Sequence, residues 1–84
     1  MKQVQWDRLK SERLKKVRGV SFEEIIATRI VDRLDHPARE SQKLLLFEYK
    51  NYIWVVPYVE NDGLVFLKTL YPSRKYTKLY LGKD

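Results

Sequence analysis

Arg74, Lys75 and Lys78 stand within residues 71–78, a run that contains no acid and interleaves its cations with tyrosine, serine and threonine. Guanidinium and ammonium groups of this kind neutralise phosphate, and arginine does so in a planar, permanently charged form. Cleavage of RNA without a metal needs three groups: one to take the 2′-hydroxyl proton, positive charge to stabilise the phosphorane, and a proton donor for the leaving oxygen. Tyrosines, lysines and arginines can assemble that set, and the chain carries all three types. Glu48 is the one acid placed centrally in a strand-like segment, where it can orient an arginine or act as a base; an ordinary half-exposed strand residue fits the position as well.

Other chemistries are excluded by composition. The chain has no cysteine, which removes disulfides, thiolate nucleophiles and cysteine-ligated zinc. Its single histidine, His36, cannot make a multi-histidine metal site, and it lies in a turn with no nucleophile motif nearby to complete a Ser-His-Asp triad. Three glycines do not form a phosphate-cradling loop. No metal and no cofactor is expected. No apolar run approaches the roughly 20 residues that span a bilayer, so no membrane partner is expected. The opening MKQVQWDRLK is too polar for a secretory signal. The expected location is the cytoplasm.

The net charge of +6 is unevenly placed. Residues 1–18 hold seven basic residues against two acids, residues 19–67 five against eight, and residues 68–84 five against one. If the basic ends meet in the fold they make one electropositive patch, a footprint for nucleic acid or an acidic protein. Lysines on small domains also serve solubility alone.

The elements that must position these groups follow from the apolar pattern. Eighty-four residues make one domain, 1–84, and at 44% hydrophobic it has enough apolar material for a core. Residues 4–6 suit a short edge strand. Asp7 is an N-cap for a helix to about Val17, with Trp6, Leu9, Leu14 and Val17 as its stripe and Gly19 as its stop. Ser21 and Glu24 form a capping box for a second helix, whose apolar face is Phe22, Ile25, Ile26 and Ile30 and whose end is near Asp32. From Lys43 the chemistry turns to strands: KLLLFEY, YIWVVPYVE and LVFLKTLY are rich in aromatic and β-branched residues. Lys50 and Asn51 suit a tight hairpin, and Asn61, Asp62 and Gly63 a type I turn with a glycine bulge. Pro57 lacks an N–H, so its place in the second strand needs a bulge or an unpaired edge. Ser73 caps a last helix to about Leu81. The fold class is α+β: two N-terminal helices on a three- to four-stranded antiparallel sheet, closed by a short C-terminal helix.

With those turns, alternation gives the sheet one face with Tyr49, Tyr52, Trp54, Tyr58, Phe66 and Lys68, and another with Leu44, Leu46, Ile53, Val55, Val65 and Leu67. The aliphatic face is expected to pack on helices. The aromatic face, with a lysine in it, either stacks bases as an open surface or packs across strands.

Three blocks carry a family resemblance. WDRLKSERLKKVRGVSFEE (6–24) resembles the opening of BrnT-type toxins, VVPYVENDG (55–63) their hairpin, and PSRKYTK (72–78) their closing basic segment, in the same order and over nearly the whole chain. The resemblance implies a RelE-like ribonuclease fold and the role of toxin in a bacterial type II toxin–antitoxin pair, an endoribonuclease that stalls translation. The implied partners are an RNA substrate and a DNA-binding antitoxin of ribbon-helix-helix type, through which the complex reaches operator DNA. Arg18 stands where the family commonly has histidine, and Lys68 or Thr69 takes the place of the family's strand arginine. In this reading Arg74, Lys75 and Lys68 hold the phosphate and transition state, and Tyr58 and Glu48 are acid–base candidates. Arg18, Trp54, Tyr52, Lys16 and Arg13 contact RNA. The alternative is a non-catalytic basic module that binds nucleic acid or an acidic protein.

Overall fold

The computed structural model describes residues 3–82. In chain order the elements are β1 (Gln3–Trp6), α1 (Arg8–Arg18), α2 (Phe22–Ile26), β2 (Arg29–Asp35), β3 (Lys43–Tyr49), β4 (Tyr52–Asn61), β5 (Leu64–Leu67), β6 (Tyr71–Pro72) and α3 (Arg74–Leu81). The strands form one sheet in the order β1-β5-β4-β3-β2, with β6 paired to β4. The pairings are antiparallel except that β1 runs parallel to β5. This overturns the expected two-helix, three- to four-stranded antiparallel architecture: the described sheet has six strands and is mixed.

The main source of the difference is residues 29–35. Ile26 and Ile30 fit the helical period of Phe22 and Ile25, which is why the second helix reads through to Asp32. Only Phe22 and Ile25 are buried, however, and the helix stops at Ile26. The Thr28 hydroxyl donates to the Ile25 carbonyl at 2.6 Å, capping the last turn. Ile30 and Val31 then favour extended backbone, since branching at Cβ costs side-chain freedom in a helix. The resulting strand β2 pairs with β3 across a register shift between Ile30 and Asp32.

Both hairpins turn on two residues with positive φ. Lys50 and Asn51 have φ of 52° and 61°, and Asp62 and Gly63 have 50° and 79°. These are the left-handed pairs that match strand twist. The second turn is therefore one residue shorter than a type I turn with a bulge. That single residue places Leu67 opposite Tyr58 and Phe66 opposite Val59. Val65 and Leu67 consequently join the aromatic face, and Phe66 leaves it.

Both faces are covered. On one, Leu14, Val20, Phe22 and Ile25 of the helical layer pack with Phe47, Val56, Tyr58, Val65 and Leu67. On the other, Leu44, Leu46, Ile53 and Val55 pack with Tyr76, Tyr80 and Leu81 of α3 and with Leu34 and Tyr71. The aromatic face is thus core rather than an open platform, except at its hairpin end.

Pro57 sits where β4 changes partner. Beyond it β5 pairs with residues 58–61, and before it β6 pairs with 54–55. Its carbonyl accepts from the Lys68 N–H at 2.8 Å. In extended backbone a residue's N–H and C=O point to the same side, so the missing N–H of Pro57 faces this gap and leaves the pairing with β3 intact.

Candidate nucleic-acid interface

The end of the sheet at the β3–β4 turn collects most of the chemistry-bearing residues. Arg29 lies opposite Glu48, and Glu48 opposite Ile53. The Ile53 carbonyl accepts from the Ser73 N–H at 2.9 Å. Arg29, Glu48, Ile53 and Ser73, the N-cap of α3, are therefore aligned across neighbouring strands, each about 4.8 Å from the next. Glu48 Oε1 accepts from Arg29 Nη2 at 2.7 Å, so this carboxylate holds an arginine.

α3 is locked at its start by hydroxyls. Ser73 Oγ accepts from the Tyr76 N–H, and the buried Thr77 Oγ1 accepts from the Ile53 N–H at 2.8 Å while donating to the Ser73 carbonyl. Arg74 and Lys75 open the helix, are exposed, and meet no acidic residue in its first turn. The Lys75 ammonium lies 5.4 Å from the Tyr76 ring centre. The positive pole of the helix adds to both cations, which suits an anion.

On the opposite face of the same end, Tyr49, Tyr52 and Trp54 are half-buried. Tyr49 and Trp54 meet edge to face at 6.3 Å, Tyr52 is the cross-strand partner of Tyr49, and Lys50 Nζ lies 5.3 Å from the Tyr49 ring. Trp54 in turn pairs with Pro72, two residues before Arg74. This shelf is what remains open of the aromatic face.

The helical layer is fixed by a polar knot. Ser11, 1% exposed, donates to Glu23 Oε1 at 2.5 Å and accepts from the Phe22 N–H at 3.0 Å, while the Trp6 indole N–H donates to Glu23 Oε2. The Ser11 hydroxyl is the foremost cause holding the Glu23 carboxyl below its ordinary range. Ser21 and Glu24 complete their capping box, and Lys15 pairs with Glu24 at 2.9 Å. Hydrogen bonding to Glu24 raises the Lys15 ammonium above its ordinary value. Leu14 is the buried apolar residue of α1, whereas Leu9 and Val17 are 73% and 72% exposed. The expected apolar stripe therefore faces outward at both ends, because the knot turns Ser11 inward instead. Arg13, Lys16 and Arg18 are exposed on this outer surface.

The structure thus brings Arg74, Lys75, Glu48, Tyr52 and Trp54 to one end of the sheet. Tyr58 is 2% exposed and packs in the core beneath the helices, which takes it out of reach of a phosphodiester. Lys68 lies at the other end of β4: the four residues from Ile53 to Pro57 span about 13 Å. Its ammonium sits 5.8 Å from the Phe66 ring, on a groove shared with Lys10, His36 and Arg39. α1 and α3 cover opposite faces of the sheet, so the basic ends of the chain do not merge into one face. Arg29, Lys10 and Arg39 were not singled out by sequence, and only the pairing of β2 with β3 and the path of the 68–70 connection give them their neighbours.

This mixed sheet with α3 against one face and α1 and α2 against the other has a solved counterpart. The chain shares its fold with the Brucella abortus ribonuclease toxin BrnT. The likeness covers 87% of this chain and 97% of that one, with a TM-score of 0.58 and 12% sequence identity. No family model and no curated protein matches the sequence. At that identity the likeness is one of fold. Among the described residues no helix is long and apolar enough to cross a membrane.

Proposed function

We propose that this chain is the toxin of a type II toxin–antitoxin pair, a metal-independent endoribonuclease that cleaves RNA and so inhibits translation. The observation that carries the reading is the acid-free first turn of α3, with Arg74 and Lys75, at the same end of the sheet as the half-open aromatic shelf. The fold it stands on is shared with a protein described as a ribonuclease toxin.

In this reading the phosphodiester binds at the start of α3. Arg74 and Lys75 balance the charge that builds on the phosphorane, helped by the positive pole of the helix. Tyr52 and Trp54 stack the flanking bases. Glu48 serves through Arg29, which it orients toward the same end of the sheet, or takes the proton itself. Arg13, Lys16 and Arg18 contact the RNA backbone or, when the toxin is neutralised, an antitoxin of ribbon-helix-helix type that reaches operator DNA. The exposed Leu9 and Val17 beside those cations suit an amphipathic acidic partner segment. The compartment for this chemistry is the cytoplasm.

Burial of Tyr58 favours a second reading, a basic module that binds nucleic acid or an acidic protein without cutting, since it removes one acid–base candidate. Expression of the chain alone in bacteria separates the two. A toxin arrests growth and leaves cut RNA, and Arg74→Ala relieves the arrest; a binding module leaves cellular RNA intact.

A further inference from the structure

A second anion site lies at the far end of β4. Lys10 from the first turns of α1, His36, Arg39 and Gln42 from the β2–β3 connection, and Lys68 and Thr69 from the β5–β6 connection line one groove of about 370 Å3. Each of these side chains can donate a hydrogen bond, and no carboxylate lines the groove. Four other surface hollows each carry at least one carboxylate, from Glu60 and Asp62 in one and from Asp7, Glu12, Glu23 or Glu24 in the others. Charge sign therefore sets this groove apart from its neighbours.

Its donors are held in place. His36 Nδ1 accepts from the backbone N–H groups of Ala38 and Arg39 at 3.0 and 3.1 Å. In the neutral ring the proton is consequently on Nε2, leaving that N–H as a donor. Lys68 lies over the Phe66 ring, and its own N–H is fixed to the Pro57 carbonyl. Tyr71, which also lines the groove, keeps its phenol protonated further above neutrality than usual, chiefly because of burial and secondarily through Tyr76. Among the described residues Lys10, Arg39 and Lys68 form no ion pair, so their charge is open to a ligand.

We infer that this groove is a distal RNA subsite, in which Lys10, Arg39, Lys68 and the Nε2–H of His36 bind a backbone phosphate of the strand whose scissile phosphate lies at the start of α3. The inference rests on the ribonuclease reading and extends it. The two sites are separated by about 13 Å along β4, a distance that a few nucleotides of extended strand cover. A substrate held at both ends is fixed in register along β6, which pairs with β4 between the two sites. The distal site acts on binding and on the length of RNA preferred.

The test uses the full chain, a fluorescent single-stranded RNA of mixed sequence, and three single variants: Lys10→Ala, Arg39→Ala and the charge-matched control Arg33→Ala. Each groove variant should weaken binding about threefold, the scale of one exposed ion pair. Each should also make the slope of log affinity against log salt shallower by about 0.7, the value for one lost contact to a single-stranded phosphate. Combining Lys10→Ala with Arg39→Ala should weaken binding roughly tenfold by the same scale and raise KM more than it lowers kcat. The His36 ring signals should shift in NMR spectra as RNA is added. Groove variants that match Arg33→Ala, or His36 signals that stay fixed while RNA binds and is cut, overturn the distal subsite and leave the ribonuclease reading standing. A chain that neither binds nor cuts RNA overturns both.

Discussion

Replacing Ser11 with alanine removes one oxygen and should destabilise the domain by about 3 kcal/mol. The hydroxyl is 1% exposed and serves two partners, donating to the Glu23 carboxylate and accepting from the Phe22 N–H. A hydrogen bond to a charged acceptor contributes about 1.5–3 kcal/mol, and leaving a buried N–H unpaired costs about 1–3 kcal/mol more. Alanine recovers a few tenths of a kcal/mol through its better helix propensity. A loss of 3 kcal/mol corresponds to a drop in Tm of roughly 12–24 °C for a domain of this size. The assay is urea unfolding followed by tryptophan fluorescence, since Trp6 shares the Glu23 carboxylate.

The same variant should change the acid limb of stability. Glu23 is held below its ordinary carboxylate range in the folded state, so its contribution is present above the unfolded value and is lost as pH falls through the folded one. With Ser11 gone, the foremost cause of that depression is gone, and the loss of stability on acidification should flatten. A Ser11→Ala protein that loses less than 1 kcal/mol and keeps the wild-type acid slope would refute the role assigned to the knot.

Thr77→Val should cost about 2 kcal/mol, because the nearly isosteric side chain leaves the buried Ile53 N–H without its acceptor. Hydrogen exchange at Ile53 should accelerate, and RNA binding should weaken as the start of α3 loosens; unchanged exchange would contradict this. Tyr80→Phe removes the 2.6 Å hydrogen bond that ties α3 to Asp32 on β2 and that chiefly keeps the Asp32 carboxyl below its ordinary range. The Asp32 carboxyl should titrate at higher pH in the variant, seen by carbon NMR. In the wild type this contact weakens as pH falls through the lowered Asp32 value. It also weakens as pH rises through the raised Tyr80 value, whose foremost cause is the same hydrogen bond.

Local chemistry was legible in the sequence where the interaction is local. Asp7, Ser21 and Ser73 cap the helices they precede, and Lys50 with Asn51 turns the first hairpin. Pro57 marks a break in pairing, although sequence alone left a bulge and an edge equally open. The sequence pattern carries the second helix to about Asp32, because Ile26 and Ile30 fit either period, and burial of only Phe22 and Ile25 is settled by tertiary packing. The sheet faces were read correctly for β3 and β4 and inverted for β5, since one residue in the second turn reverses every side chain after it. The site followed the same division. Arg74 and Lys75 were visible as an acid-free run, and Glu48 as a residue able to hold an arginine. That the arginine is Arg29 depends on a strand the pattern concealed. Tyr58 stands on an aromatic face that the sequence leaves either open or packed, and the helices of the N-terminal half cover it.

Purified chain incubated with end-labelled single-stranded RNA in excess chelator, beside Arg74→Ala, tests the central claim most directly. The ribonuclease account predicts discrete cleavage products from the wild type without added metal, and a loss of about 100-fold or more in the variant, the scale of one missing transition-state contact. Intact RNA with the folded wild-type protein, or equal cleavage by the two proteins, would contradict it.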